Sequence, residues 1–246
     1  MNAKRLKGRI ALVTGASRGI GRAVALRYAA EGAHVVAFAR TQGGLEELDD
    51  EIRTISGQHA TLIAESLTDY ETIDQTGAAL FQRFGKLDIL VGNAAMLGQL
   101  SPMGHYKPKI WEDVFKLNVH AQWRMIRSFD PLLRQSNSGR AIFVTSSIAR
   151  NPRMYWGPYS ASKAALENMV QVYADEMAHT NVRINIIDPG GVRTNMRAQA
   201  FPGEDPLSLP DPESITETFV ELAEGNCTKN GEIVRAKIEA RDRANL

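Results

Sequence analysis

The first candidate for chemistry is a pair of side chains four residues apart, Tyr159 and Lys163. The pair stands at the start of a predicted helix, where this spacing places both side chains on one face. A tyrosine has an unperturbed pKa of about 10, and a nearby ammonium group lowers that pKa toward working pH by favouring the phenolate. The pair is therefore a candidate general acid and base. Taken alone, it also fits an ordinary surface pair on a helix.

The second candidate is a glycine-rich turn that suits a bound phosphate. Gly15, Gly19 and Gly21 follow a β-rich run and precede a helical segment. Here Gly15 allows the tight turn, Gly19 lets the backbone approach a pyrophosphate, and Gly21 lets helix and strand pack closely. The free N–H groups and dipole of the helix start then face the phosphates. A plain glycine-rich connection is the alternative, but the strand before and the helix after it favour nucleotide binding.

Two arginines stand where the ribose of a dinucleotide would lie. Arg40 follows the second predicted strand, where NAD-selective folds carry a carboxylate that bonds the ribose 2′-hydroxyl. Arg18 lies inside the glycine-rich turn. Two guanidinium groups near one ribose suit a 2′-phosphate and so favour NADP(H) as the cofactor. The alternative is a pair of solvated surface arginines.

Short β-rich runs alternate with amphipathic stretches along the chain. Leu45, Leu48, Ile52 and Ile55 share one helix face, and similar stripes lie within 73–84 and 166–177. This alternation predicts an α/β fold: a single domain over residues 1–246 with a doubly wound parallel sheet and helices on both faces. The predicted strands are 10–13, 35–39, 61–64, 87–91, 141–145 and 182–187.

Composition excludes several classes of function. The 246 residues carry 29 basic and 28 acidic side chains, so nothing global indicates nucleic acid or an anionic membrane as a partner. The one cysteine, Cys227, excludes an internal disulfide and suits a reducing compartment. No signal peptide or membrane span is apparent, and we expect a cytoplasmic protein. His105 and His120 lack partners at metal-ligand spacing, so no metal is predicted.

One irregular segment interrupts the pattern at 196–212. It holds Pro202, Pro206, Pro210 and Pro212, which exclude a long regular helix. Long loops in compact domains are often lids. We predict a substrate loop that is mobile without ligand and ordered over bound cofactor and substrate.

Taken together, these features resemble the short-chain dehydrogenase/reductase family over nearly the whole chain. The resemblance implies a Rossmann-type fold and an NADP(H)-dependent oxidoreductase that interconverts a carbonyl and a secondary alcohol by hydride transfer. Segments 157–163 and 193–206 are similar to a bacterial oxoacyl-reductase-like subgroup of unsettled substrate. Six motifs occur in the family's order: the glycine-rich turn, Gly92 to Ala95, Asn118 in a Leu-Asn-Val run, Ser146-Ser147, the Tyr159/Lys163 pair, and Pro189 to Thr194.

The resemblance also implies roles for individual residues. Tyr159 is expected to act as general acid or base, and Lys163 to lower its pKa and hold the nicotinamide ribose. Asn118 is expected to hold a water that links Lys163 to solvent, and Thr194 to bond the nicotinamide carboxamide. A serine at the end of the fifth strand is expected to bond the substrate oxygen. The expected cofactor-binding set is Gly15, Ser17, Arg18, Gly19, Ile20, Gly21, Arg40, Leu67, Asn93, Ala94, Tyr159, Lys163, Pro189, Gly190, Val192 and Thr194.

Two adjacent serines compete for the catalytic position. The family's common spacing to the tyrosine selects Ser146, whereas alignment of the strand end selects Ser147. Strand register is fixed by pairing and loops accept deletions, so the catalytic set is predicted as Asn118, Ser147, Tyr159 and Lys163.

Two departures from the family pattern bear on the site. Gly92 stands where the family's N-N-A-G motif begins with asparagine, although Asn93 is kept. Ser66 replaces the aspartate that commonly contacts adenine, so adenine recognition is expected to rest on backbone groups of Leu67.

The substrate region is expected to be apolar and rich in aromatic residues, with arginines at its rim. The walls are expected to include Met154, Tyr155 and Trp156, with Met96 and Leu97 opposite. The rim arginines suit an anionic substrate such as an acyl thioester, or else they are solvated or paired with carboxylates; these arginines are Arg150, Arg153, Arg193 and Arg197.

The expected partners are a small carbonyl or alcohol substrate and further copies of the chain. Segments 111–133 and 159–178 carry apolar residues on more than one face, which predicts a homodimer or homotetramer joined through these helices. The alternative function is a non-enzymatic NADP(H)-binding sensor of the same fold.

Overall fold

A computed structural model describes residues 4–238, and the outer parts of the predicted domain, 1–3 and 239–246, lie outside the described residues. The strands are β1 (Ile10–Thr14), β2 (His34–Phe38), β3 (Thr61–Ile63), β4 (Ile89–Gly92), β5 (Arg140–Val144), β6 (Arg183–Asp188) and β7 (Ile233–Arg235). The helices are α1 (Gly19–Ala30), α2 (Gln42–Ser56), α3 (Tyr70–Phe84), α4 (Pro108–Phe115), α5 (Ala121–Gln135), α6 (Gly157–Glu176), α7 (Asn195–Ala200) and α8 (Thr216–Ala223).

All seven strands form one parallel sheet in the order β3-β2-β1-β4-β5-β6-β7. The six predicted strands are present, with ends shifted by one or two residues. Their apolar runs made them predictable, because helices cover both faces of the sheet and the central strands are therefore apolar throughout. The short strand β7 extends the sheet beyond β6. The predicted fold class is confirmed.

Helices cover the sheet in two layers. On one face α1 packs with α2 and α8 over a core that contains Val24, Leu45 and Phe219. On the other face α3, α5 and α6 cover a second core that contains Phe129 and Leu166. Burial of both faces holds the strand ends in fixed positions, and the cleft described below lies at these ends.

Two members of the predicted apolar stripes lie outside the core. Leu45, Leu48 and Ile52 are buried as expected, but Ile55 is half-exposed in the last turn of α2. Phe81 on α3 is also exposed. Both positions match the helical period but lie at the margin of the face that meets the sheet.

Two irregular segments lie between the regular helices and strands. Between α4 and α5 the chain makes a wide π-helical turn, Lys116–His120, which contains the buried Asn118. Within 196–212 the chain forms most of the short α7, a 3-10 turn at Pro206–Ser208 and the start of a second 3-10 turn, Pro212–Ile215. This agrees with the prediction that no long helix forms there. In the described range, 4–238, no helix combines the length and apolarity that a membrane crossing requires.

Candidate active site

A cleft of about 1060 Å³ runs along the carboxyl ends of the strands, where the strand order reverses between β1 and β4. In doubly wound sheets this reversal is where ligands bind. All the residues of the expected cofactor-binding set line the cleft except Gly21. Of the expected catalytic set, Tyr159 and Lys163 line it, whereas Asn118 and Ser147 do not.

The glycine-rich turn has the geometry that its sequence predicts. Gly15 has a φ of +66° and Gly19 a φ of +57°, both in the left-handed region that favours glycine. A Cβ at Gly21 would lie 2.4 Å from the Gly15 carbonyl oxygen and 2.5 Å from the amide nitrogen of Asn93. Gly21 is therefore required for close packing behind the turn, which explains why it does not itself line the cleft.

Asn93 and Thr14 tie the turn to the end of β4. The Asn93 side-chain amide donates to the Thr14 carbonyl oxygen at 2.8 Å. The Thr14 hydroxyl donates to the Val91 carbonyl and accepts from the backbone amides of Asn93 and Ala94 at 3.0 and 3.1 Å. The sequence analysis missed Thr14, although a hydroxyl at the end of an apolar strand was a signal for such a role.

The departure at Gly92 has a steric cause. A Cβ at this position would lie 2.5 Å from Cδ1 of Phe143 and 2.6 Å from Oε1 of Gln122. The Gln122 amide nitrogen donates to the Ala94 carbonyl at 3.0 Å. Gln122 therefore occupies the space beside β4 that an asparagine side chain at position 92 would need.

Arg18 and Arg40 lie together at the mouth of the cleft, and both are exposed. Arg18 is the residue before α1, and Arg40 follows β2 closely. Among residues 4–238, neither side chain is paired with a carboxylate. Two guanidinium groups at the helix start form a site suited to an anion.

The structure places Ser146, and not the predicted Ser147, in the cleft. Ser146 lines the cleft beside Tyr159 and acts to lower the pKa of Tyr159, whereas Ser147 is exposed and does not line the cleft. The reason is local: β5 ends at Val144 and Ser146 is still extended, but Ser147 begins a 3-10 turn that redirects its side chain. The position at the end of the strand therefore belongs to Ser146.

The pKa of Tyr159 also differs from the expectation. Burial raises the pKa of Tyr159 to about 12, the hydrogen bond with Ser146 acts in the opposite direction, and the charge of Asp188 raises it further. Lys163 does not lower it here, because its ammonium donates to the Val144 carbonyl at 2.7 Å and lies 5.8 Å from the centroid of the phenol ring. Burial lowers the pKa of Lys163 to about 8, while Glu167 raises it.

Asn118 braces the site from behind the cleft. Its Oδ1 accepts from the Met96 amide at 2.9 Å, and its Nδ2 donates to the Met96 carbonyl and the Ser162 hydroxyl, both at 3.0 Å. The side chain thus joins the wide turn to the segment after β4 and to α6. The expected water-holding role would fall to the Asn118 backbone, since wide turns disrupt the regular helical hydrogen bonds.

Thr194 and Leu67 mark two other walls of the cleft. The Thr194 hydroxyl caps α7 by accepting from the Arg197 amide at 3.2 Å, and it lies near Gly19. Leu67 is buried at the margin of the sheet, and the neighbouring Ser66 hydroxyl bonds Thr68 at 2.9 Å. The Ser66 side chain is therefore engaged locally, which fits the expectation that backbone groups of Leu67 face the cleft.

A charged cluster behind Tyr159 and Lys163 was missed by the sequence analysis. Arg150 donates to the buried Glu167 at 2.6 Å and to the buried Asp188 at 2.8 Å, and Arg235 pairs with Asp188 at 3.1 Å. Glu167 also accepts from the Thr145 hydroxyl at 2.6 Å. The spacing of four between Lys163 and Glu167 was the only sequence signal, because the other members come from distant segments.

Three of the four arginines expected at the rim of the substrate region are paired with carboxylates. Arg150 belongs to the charged cluster, Arg193 pairs with Asp211, and Arg197 pairs with Glu204 at 2.6 Å. Arg153 is exposed and does not line the cleft. An anionic substrate therefore finds no uncommitted arginine at this rim.

Trp156, Met96 and Leu97 line the cleft as expected. Met154 and Tyr155 do not; they are 76% and 51% exposed, because the loop turns outward before α6. Within residues 4–238, no cluster of three or more potential metal ligands occurs, and the prediction that the protein needs no metal stays a prediction.

Known proteins share both the sequence and the fold. A family model described as short chain dehydrogenase matches residues 9–205. The chain is 41% identical over 219 residues to the "uncharacterized oxidoreductase YciK" of Escherichia coli (strain K12), covering 88% of this chain and 86% of that protein.

Solved structures extend the comparison. A short chain dehydrogenase from Escherichia coli CFT073, complexed with NADPH, shares 37% identity with a TM-score of 0.92, covering 96% of this chain and all (100%) of that one. A short chain dehydrogenase from Shigella flexneri 2a str. 301, complexed with NADP, also shares 37% identity with a TM-score of 0.92, covering 95% of this chain and 99% of that one. On the family match, the fold and the shared identity, this chain belongs to the short-chain dehydrogenase/reductase family of oxidoreductases.

Proposed function

We propose that this protein is an NADP(H)-dependent oxidoreductase that interconverts a carbonyl and a secondary alcohol, with Tyr159 as the general acid and base. The observation that carries the proposal is that Tyr159, Ser146 and Lys163 line the same cleft as the glycine-rich turn. A proton donor and a nucleotide cradle in one cleft are the two parts that carbonyl reduction needs.

The cradle fits a dinucleotide. Gly15 and Gly19 carry no side chain at the two ends of the turn, and the start of α1 presents its N–H groups to the cleft. We assign the pyrophosphate to this turn, adenine to Leu67, and the nicotinamide side to Thr194 and the segment Pro189 to Val192. When bound, the nicotinamide supplies or accepts the hydride.

Arg18 and Arg40 favour the phosphorylated cofactor. Both lie at the ribose end of the cleft without a carboxylate partner among residues 4–238, and an arginine can bond a 2′-phosphate through two parallel N–H groups. The complexes of the two related dehydrogenases with NADPH and NADP support the same choice.

Tyr159 holds the proton that reduction requires. Because burial raises its pKa to about 12, the phenol is protonated at neutral pH and can donate to a carbonyl oxygen that gains negative charge. Ser146 lies on the same wall of the cleft and can bond that oxygen. Lys163, whose ammonium lies 5.8 Å from the centroid of the phenol ring, is placed to hold the nicotinamide ribose. We assign the relay water to the Asn118 backbone.

The experiment measures NADPH binding and NADPH oxidation with a panel of ketones and acyl thioesters. Tyr159→Phe is expected to bind NADPH nearly as well as the unmodified protein and to lose on the order of 10² or more in turnover. Ser146→Ala is expected to lose on the order of 10², whereas Ser147→Ala is the matched control and is expected to change little. Turnover within about threefold for Tyr159→Phe would contradict the role of Tyr159. Binding of NADPH without reduction of any carbonyl in the panel would instead support the alternative function, a non-enzymatic NADP(H)-binding sensor.

A further inference from the structure

The substrate end of the cleft has an apolar wall. Tyr159, Leu97 and Ile148 are buried in one cluster, and the side chains that complete it are also apolar; these are Leu100, Trp156, Met196 and Ala200. The polar groups at the reacting end include the Tyr159 and Ser146 hydroxyls. A substrate body placed beside Tyr159 therefore meets mainly carbon.

Aromatic rings continue this wall outward. The Trp156 ring lies 6.0 Å from the Tyr159 ring and 5.6 Å from the Phe201 ring, measured between centroids. The guanidinium carbon of Arg197 lies 3.8 Å from the Phe201 centroid. Arg197 lines the cleft, and its pairing with Glu204 neutralises its charge.

The backbone before Trp156 is fixed in a strained conformation. Tyr155 has a φ of 73°, in the left-handed region that bulky residues rarely adopt. Its carbonyl oxygen accepts from the Tyr106 hydroxyl at 2.6 Å and from the Ser101 amide at 3.1 Å. These bonds offset the strain and fix the backbone at the residue before Trp156. The Trp156 ring is therefore held in place as part of the substrate wall.

The arginines near the apolar wall are paired with carboxylates. Lys163 belongs to the catalytic pair, and Arg18 and Arg40 are assigned to the ribose end. Lys116 is exposed and directs its ammonium toward the Tyr70 ring at 5.8 Å. Arg193 and Arg197 are paired with Asp211 and Glu204.

We propose that the substrate is an uncharged carbonyl compound with an apolar or aromatic body, and that the site discriminates against anionic compounds, including coenzyme A thioesters. This inference rests on the proposed carbonyl reduction. A carboxylate that enters beside this wall loses its water and finds Arg193 and Arg197 already paired, so its binding is penalised. A neutral ring instead gains the contact of Trp156.

The test compares matched pairs that differ in charge. NADPH oxidation is measured with methyl 4-acetylbenzoate and with 4-acetylbenzoate, and then with the acetoacetyl thioesters of N-acetylcysteamine and of coenzyme A. We expect kcat/KM to favour the neutral member of each pair by on the order of tenfold or more. Equal or faster turnover of the charged members would overturn the inference and leave the proposed reaction standing.

A second measurement tests the cause. Glu204→Gln releases Arg197. We expect it to reduce severalfold the ratio of kcat/KM for methyl 4-acetylbenzoate to kcat/KM for 4-acetylbenzoate. Glu213→Gln is the control, because the Glu213 side chain forms no ion pair within the described part of the chain. An unchanged ratio in Glu204→Gln would show that the ion pair does not set the preference, and would overturn the argument from neutralised arginines.

Binding separates this inference from the proposed reaction. Quenching of Trp156 fluorescence, taken as the difference between the unmodified protein and Trp156→Phe, is measured with both acetylbenzoate compounds in the presence of NADP⁺. Stronger quenching by the ester supports the inference even if no NADPH is oxidised, an outcome that would contradict the proposed reaction alone. Stronger quenching by the carboxylate would overturn the inference.

Discussion

At the scale of single residues, the two groups proposed for proton transfer are both buried, and burial moves their pKa values apart. The pKa of Tyr159 rises to about 12 and that of Lys163 falls to about 8. The neutral phenol is therefore the stable form at neutral pH, whereas the charge on Lys163 is sensitive to its surroundings. Glu167, four residues further along α6, is the carboxylate that sustains this charge.

Glu167→Gln is expected to shift the alkaline limb of the kcat/KM profile to lower pH. The Glu167 carboxylate raises the pKa of Lys163, so its removal lets burial lower that pKa below about 8, and the ammonium is lost at a lower pH. The other charged groups of this cluster, Arg150 and Asp188, stay in place. The measurement is the pH dependence of NADPH oxidation, with Glu176→Gln on the same helix as control. If the alkaline limb of the Glu167→Gln profile stayed at the same pH while the free energy of unfolding fell, Glu167 would stabilise the fold without affecting the charge of Lys163.

Arg40→Asp is expected to reverse cofactor preference. Each charge-assisted bond contributes roughly 1.5–3 kcal/mol, and about 1.4 kcal/mol is a tenfold change in affinity, so Arg18 and Arg40 together favour NADPH over NADH by on the order of 10² or more. An aspartate removes the attraction and repels the 2′-phosphate. Titrations of both cofactors check this, with the exposed Arg153→Asp as control. Equal affinities for NADPH and NADH in the unmodified protein would show that Arg18 and Arg40 are solvated surface charges that do not bind the 2′-phosphate.

Residue types and spacing were enough to predict the cleft but not all of its chemistry. The glycines, Asn93 and the Tyr159/Lys163 pair lie where the motifs place them, because each motif is local in sequence. Ser146 could not be separated from Ser147, since the choice depends on where the 3-10 turn begins. The pKa of Tyr159 depends on burial, which no local motif encodes.

At the scale of elements, the contact between α1 and the turn that precedes it makes Gly21 irreplaceable. A Cβ there would lie 2.4 Å from a backbone oxygen, so Gly21→Ala must displace the turn. We expect at least about tenfold weaker NADPH binding and a loss of roughly 1–3 kcal/mol in unfolding free energy. Titration with NADPH and denaturant unfolding measure both quantities.

Gly43 offers a matched control on α2. A Cβ at Gly43 would have no heavy atom within 4 Å, so Gly43→Ala is expected to add roughly 0.5–1 kcal/mol of stability through the helix and to leave NADPH binding unchanged. If Gly21→Ala behaved like Gly43→Ala, the close packing assigned to Gly21 would be wrong.

Apolar patterning was sufficient to predict six of the seven described strands and the amphipathic helices. The strands are predictable because burial on both faces requires continuous apolar runs. The exposure of Ile55 and Phe81 was not predictable, because it depends on how far each helix extends past the sheet. The short β7 carries only three residues, of which Arg235 is exposed, so its strand character comes from pairing with β6.

At the scale of the whole molecule, apolar surface remains on α5 and α6 after both have packed on the sheet. Trp123 is 49% exposed and Val172 is 53% exposed, while Phe129 and Leu166 on the same helices are buried. This arrangement supports the proposed homodimer or homotetramer, in which a second copy covers these faces. We likewise propose that residues 1–246 form one domain.

Trp123→Glu is expected to reduce the molar mass in solution. A charge on the α5 face would be buried by assembly without a partner, which weakens association. Light scattering over a range of concentrations measures the mass. Phe81→Glu on α3 is the control, because Phe81 is exposed on a helix outside the proposed interface. A monomer mass at every concentration for the unmodified protein would refute the proposed assembly.

The tight contact at Gly92 constrains the order in which this sequence can evolve. Asparagine at position 92 would place its Cβ against Phe143 and Gln122 in a single step, so that substitution is accessible only after one or both neighbours have become smaller. Conversely, a lineage that starts from asparagine can acquire Gln122 only after position 92 has lost its side chain. Positions 92, 122 and 143 are therefore expected to change together among descendants of a common ancestor, and a library that randomises position 92 alone would return almost only glycine.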